Sequence, residues 1–319
     1  MEILKNEYHF PSSTGVGEIY ARSFASADKA DVRAIFQIAH GMAEHGDRYD
    51  DFARYLAERG YAVYVIDHAG HGKSAAPEDW GYFGERDGWS GVIADSKLLT
   101  DIARSEHPGL PVVFFGHSMG SFVARLYAER YGNDLAGAIF CGTSGANPAA
   151  GVGILLAGLI AKLRGGHHRS SFLDSMGFGA YNKRIENART KFDWLSVDEE
   201  NVDSYVADPA CGFLFTAAGF RDVLTLLSRA NSKEWFQNLP RDLPVYLISG
   251  QDDPVGNYGK GVQEVVSSLR ESGQRHVDST LYPGARHEIL LEKSINAQVY
   301  ADILNNLQLT IDNVQLPMG

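Results

Sequence analysis

An α/β fold, a mostly parallel sheet flanked by helices, is the architecture this sequence predicts, and three observations predict it. From about Val32, short β-branched and aromatic runs alternate with amphipathic segments. That alternation is the pattern of strand–helix–strand units, which build parallel sheets. The short runs are nearly continuous in apolar residues, as strands covered on both faces are. The alternation stops after Gly145 and resumes near Leu243, so an insertion interrupts the core.

The elements follow in order. "AIFQIAH" predicts the first strand of the alternation. "DRYDDFARYLAERG" predicts a helix, with Tyr49, Phe52, Tyr55 and Leu56 at helical spacing and Gly60 as its stop. "YAVYVID" is the next strand, "IADSKLLTDIARSEHPG" a helix ended by Pro108 and Gly109, and "LPVVFFG" a strand. "MGSFVARLYAERYG" is a helix and "LAGAIFCG" a strand. Residues 1–145 thus read as the first part of the core. Residues 146–237 are mostly helical with no clear strand, too long for a simple loop, and read as a lid or cap. Residues 238–319 complete the core: strand "LPVYLISG", helix "YGKGVQEVVSSLRESG", strand "HVDSTLYPG" and a helix over Ile289–Leu307.

Composition narrows the functional classes. The 319 residues are 44% hydrophobic and 22% charged, with a net charge of −11. Binding to a phosphate backbone needs clustered Lys and Arg, so no nucleic-acid partner is expected. The two cysteines, Cys141 and Cys211, form no disulfide framework and match no metal motif by spacing, which predicts free thiols in a reducing compartment. "MEILKNEYHFPSSTG" lacks a signal-peptide core. The longest apolar run, "AAGVGILLAGLIA", is shorter than the ~20 residues that span a bilayer. The expected location is cytoplasmic.

Gly116-His117-Ser118-Met119-Gly120 fits G-x-S-x-G. A serine that attacks a carbonyl stands on a sharp strand-to-helix turn, where the residues two positions away must be small. An apolar strand precedes this motif and a helix follows it, so Ser118 is the candidate nucleophile. His117 is its chain neighbour and points elsewhere in a tight turn, which gives its imidazole a structural role. The hydroxyl needs a base, and the base needs a carboxylate to hold its tautomer. In this architecture the chain order is Ser, Asp or Glu, His, with the groups at the carboxyl ends of strands. "VYLISGQDDPV" offers Asp253, set in the turn before Pro254, with Asp252 as a turn-bonding neighbour; "STLYPGARHEIL" offers His287, with Glu288 as a helix-start residue.

The oxyanion of a tetrahedral intermediate needs two backbone N–H donors. One follows the nucleophile, at Met119; the other comes from the His40-Gly41-Met42 loop after the first strand of the alternation, at Met42. The dense stretch "HGMAEH" is no zinc motif: H-x-x-E-H would need one residue fewer between His40 and Glu44, and H-E-x-x-H is absent. His40, Glu44 and His45 then brace the loop. "DHAGHGKS" is Gly-rich and structural, since G-x-x-x-x-G-K-[ST] is not met. No metal or cofactor is expected.

"HGMAEHGDRYDDFARYL", "DHAGHGKS", "GHSMGS", "SGQDDPV" and "GARHEIL" together resemble the monoacylglycerol lipase and lysophospholipase-like group of α/β-hydrolases. The resemblance implies the α/β-hydrolase fold with a helical cap inserted after the sixth core strand and an apolar acyl tunnel beneath it. It also implies Ser118, Asp253 and His287 as the catalytic triad, Met42 and Met119 as oxyanion donors, and no cofactor. The expected substrate is a monoacyl lipid or another acyl ester. An amidase or aminoacyl peptidase on the same triad is the alternative, with Asp198, Glu199, Glu200 and Asp203 as a source of an amine pocket; a non-catalytic binding protein is a further one. "GVGILLAGLIAKL" is apolar all round. Such a helix either packs inside the cap, or lines the acyl pocket or makes transient contact with a membrane surface.

Overall fold

The computed structural model describes residues 2–315. One eight-stranded sheet runs through the molecule in the order β1-β2-β4-β3-β5-β6-β7-β8. The strands are β1 (Ile3–Pro11), β2 (Glu18–Ser26), β3 (Ala34–Ala39), β4 (Tyr61–Ile66), β5 (Val112–His117), β6 (Gly137–Cys141), β7 (Val245–Gly250) and β8 (Val277–Tyr282). Every pairing from β4 through β8 is parallel; β1–β2 and β2–β4 are antiparallel. This is the α/β-hydrolase fold.

The parallel strands match the apolar runs because β3, β4, β5, β6 and β7 are buried along their whole length. Successive residues serve opposite faces. Ile35, Tyr64 and Phe114 pack beneath α2 (Gly88–Glu106), α3 (Met119–Tyr131) and α9 (Lys260–Glu271), whereas Phe36, Val63 and Phe115 pack against α1 (Asp50–Ala57) and α10 (Asn296–Gln315). The N-terminal hairpin β1–β2 was not evident in the sequence. β1 is an edge strand exposed over most of its length, so it carries no hydrophobic alternation to read.

The last helix departs from its expected start. It begins at Asn296, not Ile289. The intervening residues are held away from helical geometry: the Glu288 N–H donates to the Leu195 carbonyl (2.7 Å), and Glu292 accepts from the Ser196 hydroxyl (3.0 Å) and the Val197 N–H (3.2 Å).

Between β6 and β7 lie α4 (Ala150–Arg164), α5 (Ser171–Phe178), α6 (Glu199–Ala207), α7 (Ala217–Ala230) and α8 (Lys233–Asn238). No strand occurs there among the described residues, only a single bridge from Arg169 to Thr216. The apolar helix α4 is two-sided. Its small residues Ala150, Gly153, Ala157 and Ala161 are buried, and Gly153 lies against Leu224 of α7. Leu156 and Ile160 pack partly against the core, while Val152, Leu155, Leu159 and Leu163 face outward, Leu155 74% exposed and Leu163 73%. No described helix is long and apolar enough to cross a membrane.

α7 carries a buried acid on its inner side. Asp222 is buried beside the N-terminus of α2, its Oδ2 has no partner, and burial pushes its pKa up to about 6 against the pull of Arg221. A carboxyl raised in the folded state takes up a proton on folding, so stability falls as pH rises from the unfolded value near 3.9 through about 6. Asp222→Asn is therefore expected to be more stable than the parent by about 3 kcal/mol at pH 8 and by only about 1 kcal/mol at pH 4.5. Urea unfolding at both pH values measures this, and an equal difference at both would refute it.

Candidate active site

The site sits at the carboxyl ends of β3, β5, β7 and β8, as open α/β sheets place it. Ser118 joins β5 to α3 with φ 54° and ψ −120°, a conformation normally left to glycine. The turn is held by the Ser118 N–H to the Cys141 carbonyl (2.9 Å) and the Ser121 N–H to the Ser118 carbonyl (2.8 Å). The flanking glycines are required by contact. A Cβ on Gly116 would overlap the Gly120 carbonyl oxygen, and one on Gly120 would overlap that of Ala39.

Asp253 and His287, 34 residues apart, meet across the ends of β7 and β8. The His287 Nδ1–H donates to Asp253 Oδ2 at 2.8 Å, in full burial. Asp253 is itself oriented by the Val255 N–H (2.8 Å) and the Ser249 hydroxyl (3.2 Å). With the Nδ1 proton directed at Asp253, the second ring nitrogen, Nε2, is left unprotonated in the neutral ring. His287, Ser118, Met119 and Met42 all line one cavity of about 580 Å³, within the 300–1,000 Å³ typical of small-molecule sites. Asp252 is exposed and bonds the turn through its own N–H, to Ala285 (2.9 Å), rather than through its carboxylate.

The loop from His40 to His45 is braced on every side. His40 gives its Nδ1–H to the Gly41 carbonyl (2.8 Å) and accepts the His68 N–H at Nε2 (3.0 Å). His71 gives its Nδ1–H to the Ala69 carbonyl (3.0 Å), so Nε2 accepts the Ala43 N–H (3.3 Å). Burial keeps these imidazoles neutral: it pushes His40 well down, and pushes His68 to about 3 and His71 to about 4. Asp67 receives the N–H groups of Gly46 and Lys73 (2.8 Å each), which makes "DHAGHGKS" a structural support. Gly41 brings the loop against Ser118, because a Cβ there would stand 3.1 Å from the Ser118 Cβ.

Glu44 is the hub of this region. Its carboxylate accepts from the Gly41 N–H (2.5 Å), the Tyr49 hydroxyl (2.8 Å) and Arg48 (2.8 Å), and faces His117 Nδ1 at 3.2 Å. Burial opposes its charge, but His117 and Arg48 outweigh burial and hold its pKa well below the usual range. Burial likewise opposes charge on His117, and Glu44 outweighs it, raising that imidazole's pKa. His117 Nε2 faces the His287 carbonyl at 3.3 Å, so the structural role expected of His117 is to tie Glu44 to the backbone of His287. Glu288 is no helix-start residue. It is buried, binds Arg48 (2.8 Å to Oε2) and accepts from Asn201 (2.8 Å). The four-residue spacing of Glu44 and Arg48 is the trace of this network visible in sequence; Glu288, 240 residues from Arg48, leaves none.

Beyond the polar end, Phe122, Phe178, Phe213, Phe220, Leu224 and Leu227 line the cavity. The acidic run from Asp198 to Asp203 does not. Asp198 caps α6, Glu200 pairs with Lys293, and Arg189 binds Asp203 and Glu199.

Fold and site together define an α/β-hydrolase. Residues 30–294 match the family described as serine aminopeptidase, S33, and the chain belongs to that family. It is 29% identical over 296 residues to a monoacylglycerol lipase of Mycolicibacterium smegmatis, covering 90% of this chain and 92% of that protein. It is 28% identical over 265 residues to the monoglyceride lipase of Homo sapiens, covering 80% and 75%. Among solved structures, a highly thermostable carboxyl esterase from Bacillus coagulans in complex with glycerol superposes with a TM-score of 0.91 at 32% identity, over 96% of this chain and 99% of that one. The chain is thus a hydrolase of the monoacylglycerol-lipase-like type.

Proposed function

We propose that this protein hydrolyses carboxylic esters, with monoacyl lipids as the preferred class, through an acyl-enzyme on Ser118. His287 Nε2 takes the Ser118 proton as the oxygen attacks the carbonyl, and Asp253 stabilises the imidazolium that forms. The Met42 and Met119 N–H groups hold the oxyanion. His287 then protonates the leaving alcohol, and water, activated by the same imidazole, releases the acid. The observation that carries this reading is the single cavity shared by Ser118 and an Asp253-bound His287, polar at the reacting end and apolar beyond. In this reading residues 146–237 are the cap, and the apolar lining takes the acyl chain.

The test is hydrolysis of p-nitrophenyl esters from two to sixteen carbons beside aminoacyl-nitroanilides. A chain-length optimum with little amide cleavage supports the ester reading. Amide cleavage alone would move the assignment to a peptidase, the activity in the family's description. Failure of a phosphonate to label Ser118 would point to a binding protein.

The outward face of α4 supports a transient membrane contact. Apolar side chains gain about 1.5–3 kcal/mol each on leaving water. The double variant Leu155→Asp/Leu163→Asp is therefore expected to bind phospholipid vesicles at least about tenfold more weakly. Cleavage of a water-soluble ester should be unchanged. Equal vesicle binding by variant and parent in a sedimentation assay would count against a membrane role for this face.

A further inference from the structure

Where the cap meets the loop that follows β3, three metal-ligating side chains converge that the reaction does not use. His45 is at the end of that loop; Asp208 and Cys211 belong to the turn after α6. His45 Nε2 lies 2.8 Å from Asp208 Oδ2. One donor atom from each of His45, Asp208 and Cys211 falls within 4.8 Å of the other two, and no other such triple occurs among the described residues. We propose that His45, Asp208 and Cys211 bind a divalent ion of the zinc type, with water as the fourth ligand.

The donor set selects the ion. Imidazole, thiolate and carboxylate together suit zinc, whereas calcium and magnesium require mainly oxygen. Thiolate and carboxylate together supply the two negative charges that neutralise it. Arg48, the cation beside Cys211, is already matched by Glu44 and Glu288. The surroundings are those of an oriented site. The Ala210 N–H holds Asp208 Oδ1 at 2.8 Å, leaving Oδ2 for the ion. His45 Nδ1 is turned to the side of Asp47, whose Oδ2 lies 4.0 Å away, beyond direct hydrogen-bond reach. Asp208 is 34% exposed while His45 is 11% exposed, so an ion has an entry on the Asp208 side of an otherwise closed site.

The protons balance. In the metal-free pair His45 Nε2–H donates to Asp208 Oδ2. On binding, that nitrogen becomes the ligand, the ring proton sits on Nδ1 facing Asp47, and the Cys211 thiol releases one proton to solvent. Burial favours the neutral thiol, so the ion must displace that proton. The ion would replace the His45–Asp208 hydrogen bond across this seam, beside the Tyr205 hydroxyl and the Gly212 N–H, which donate to the Ala43 carbonyl at 2.8 Å each. Because Met42 is Ala43's neighbour, a bound ion would stiffen the cap against the oxyanion loop.

The test is titration of the chelator-treated full-length protein with Co²⁺ and Zn²⁺. The expected result is one equivalent of Co²⁺ with a thiolate-to-cobalt charge-transfer band, bleached by one equivalent of Zn²⁺, and a Tm raised by Zn²⁺. Cys211→Ser should lose the band, and Asp208→Asn should bind at least about tenfold more weakly. Both variants are compared at matched metal-free Tm, so a misfolded variant is not mistaken for a missing ligand. A parent protein without the band, or Zn²⁺ affinity unchanged in both variants, would overturn the site. These readouts do not use the reaction, so the ester assignment and the metal site can fail separately.

Discussion

Ser118→Ala is expected to lower kcat on p-nitrophenyl esters by about 10⁴- to 10⁶-fold while substrate still binds. The residual rate would come from the donors around the oxyanion, which do not need the hydroxyl. A second variant separates chemistry from strain. Ser118 holds φ 54°, a conformation that disfavours any side chain with a Cβ. Ser118→Gly should therefore be as inactive as Ser118→Ala, yet more stable than it by about 1 kcal/mol. Two measurements check this: single-turnover kinetics on a ten-carbon ester and thermal unfolding of both variants. An alanine variant within tenfold of the parent would remove Ser118 from the reaction. An alanine variant more stable than the glycine variant would show that the turn is not strained.

Strain at that residue explains why the candidate nucleophile is so legible. A serine there demands small neighbours, a strand before and a helix after, and all are local in the chain. Asp253 and His287 are legible for a related reason, since each stands just past an apolar run and the chain order is right. Their meeting is a tertiary event, but the parallel sheet brings the ends of β7 and β8 side by side. What could not be read is what lacks a local pattern. The β1–β2 hairpin is hidden because its outer strand is wet. The true start of α10 is hidden because Glu288 and Glu292 bond to the cap, over distances of about 90 residues. The two faces of α4 are hidden because every position from Ala150 to Ala161 is apolar or glycine. Only the docking of the small residues on α7 decides which side is covered.

The same limit applies to the stretch from His40 to His45. Its crowding of acids and imidazoles tempts a metal or general-base reading, and no spacing rule supports either. The structure gives the residues different work. His40 and His71 are held neutral and hydrogen-bond the backbone. Glu44 is held ionised and gathers donors from four neighbours. His45 looks away from the reacting groups toward the cap. Backbone N–H groups are poor recognition elements unless something fixes their direction, and the buried side chains around this loop provide that fixing.

Glu44→Ala should accordingly damage both stability and rate, although the carboxylate takes no part in the proposed proton transfers. The variant removes the acceptor of the Gly41 N–H and the Tyr49 hydroxyl and leaves Arg48 with Glu288 as its remaining buried partner. Breaking a buried ion pair from one side costs about 3–5 kcal/mol, chiefly because the abandoned groups stay out of water. His117 also loses the charge that raises its pKa, and burial alone then favours the neutral ring. The bridge that His117 makes between residue 44 and the His287 carbonyl is then broken at its Glu44 end. The loop that carries Met42 and the backbone of His287 should loosen together, lowering kcat more than it raises KM. Glu44→Gln keeps an acceptor for Gly41 and Tyr49 and should recover part of the stability but not the paired state of His117. Urea unfolding and steady-state kinetics on the three proteins distinguish these effects. If Glu44→Ala loses less than 1 kcal/mol, or if glutamine restores kcat in full, the charge of Glu44 is not what holds the loop and His287 in register.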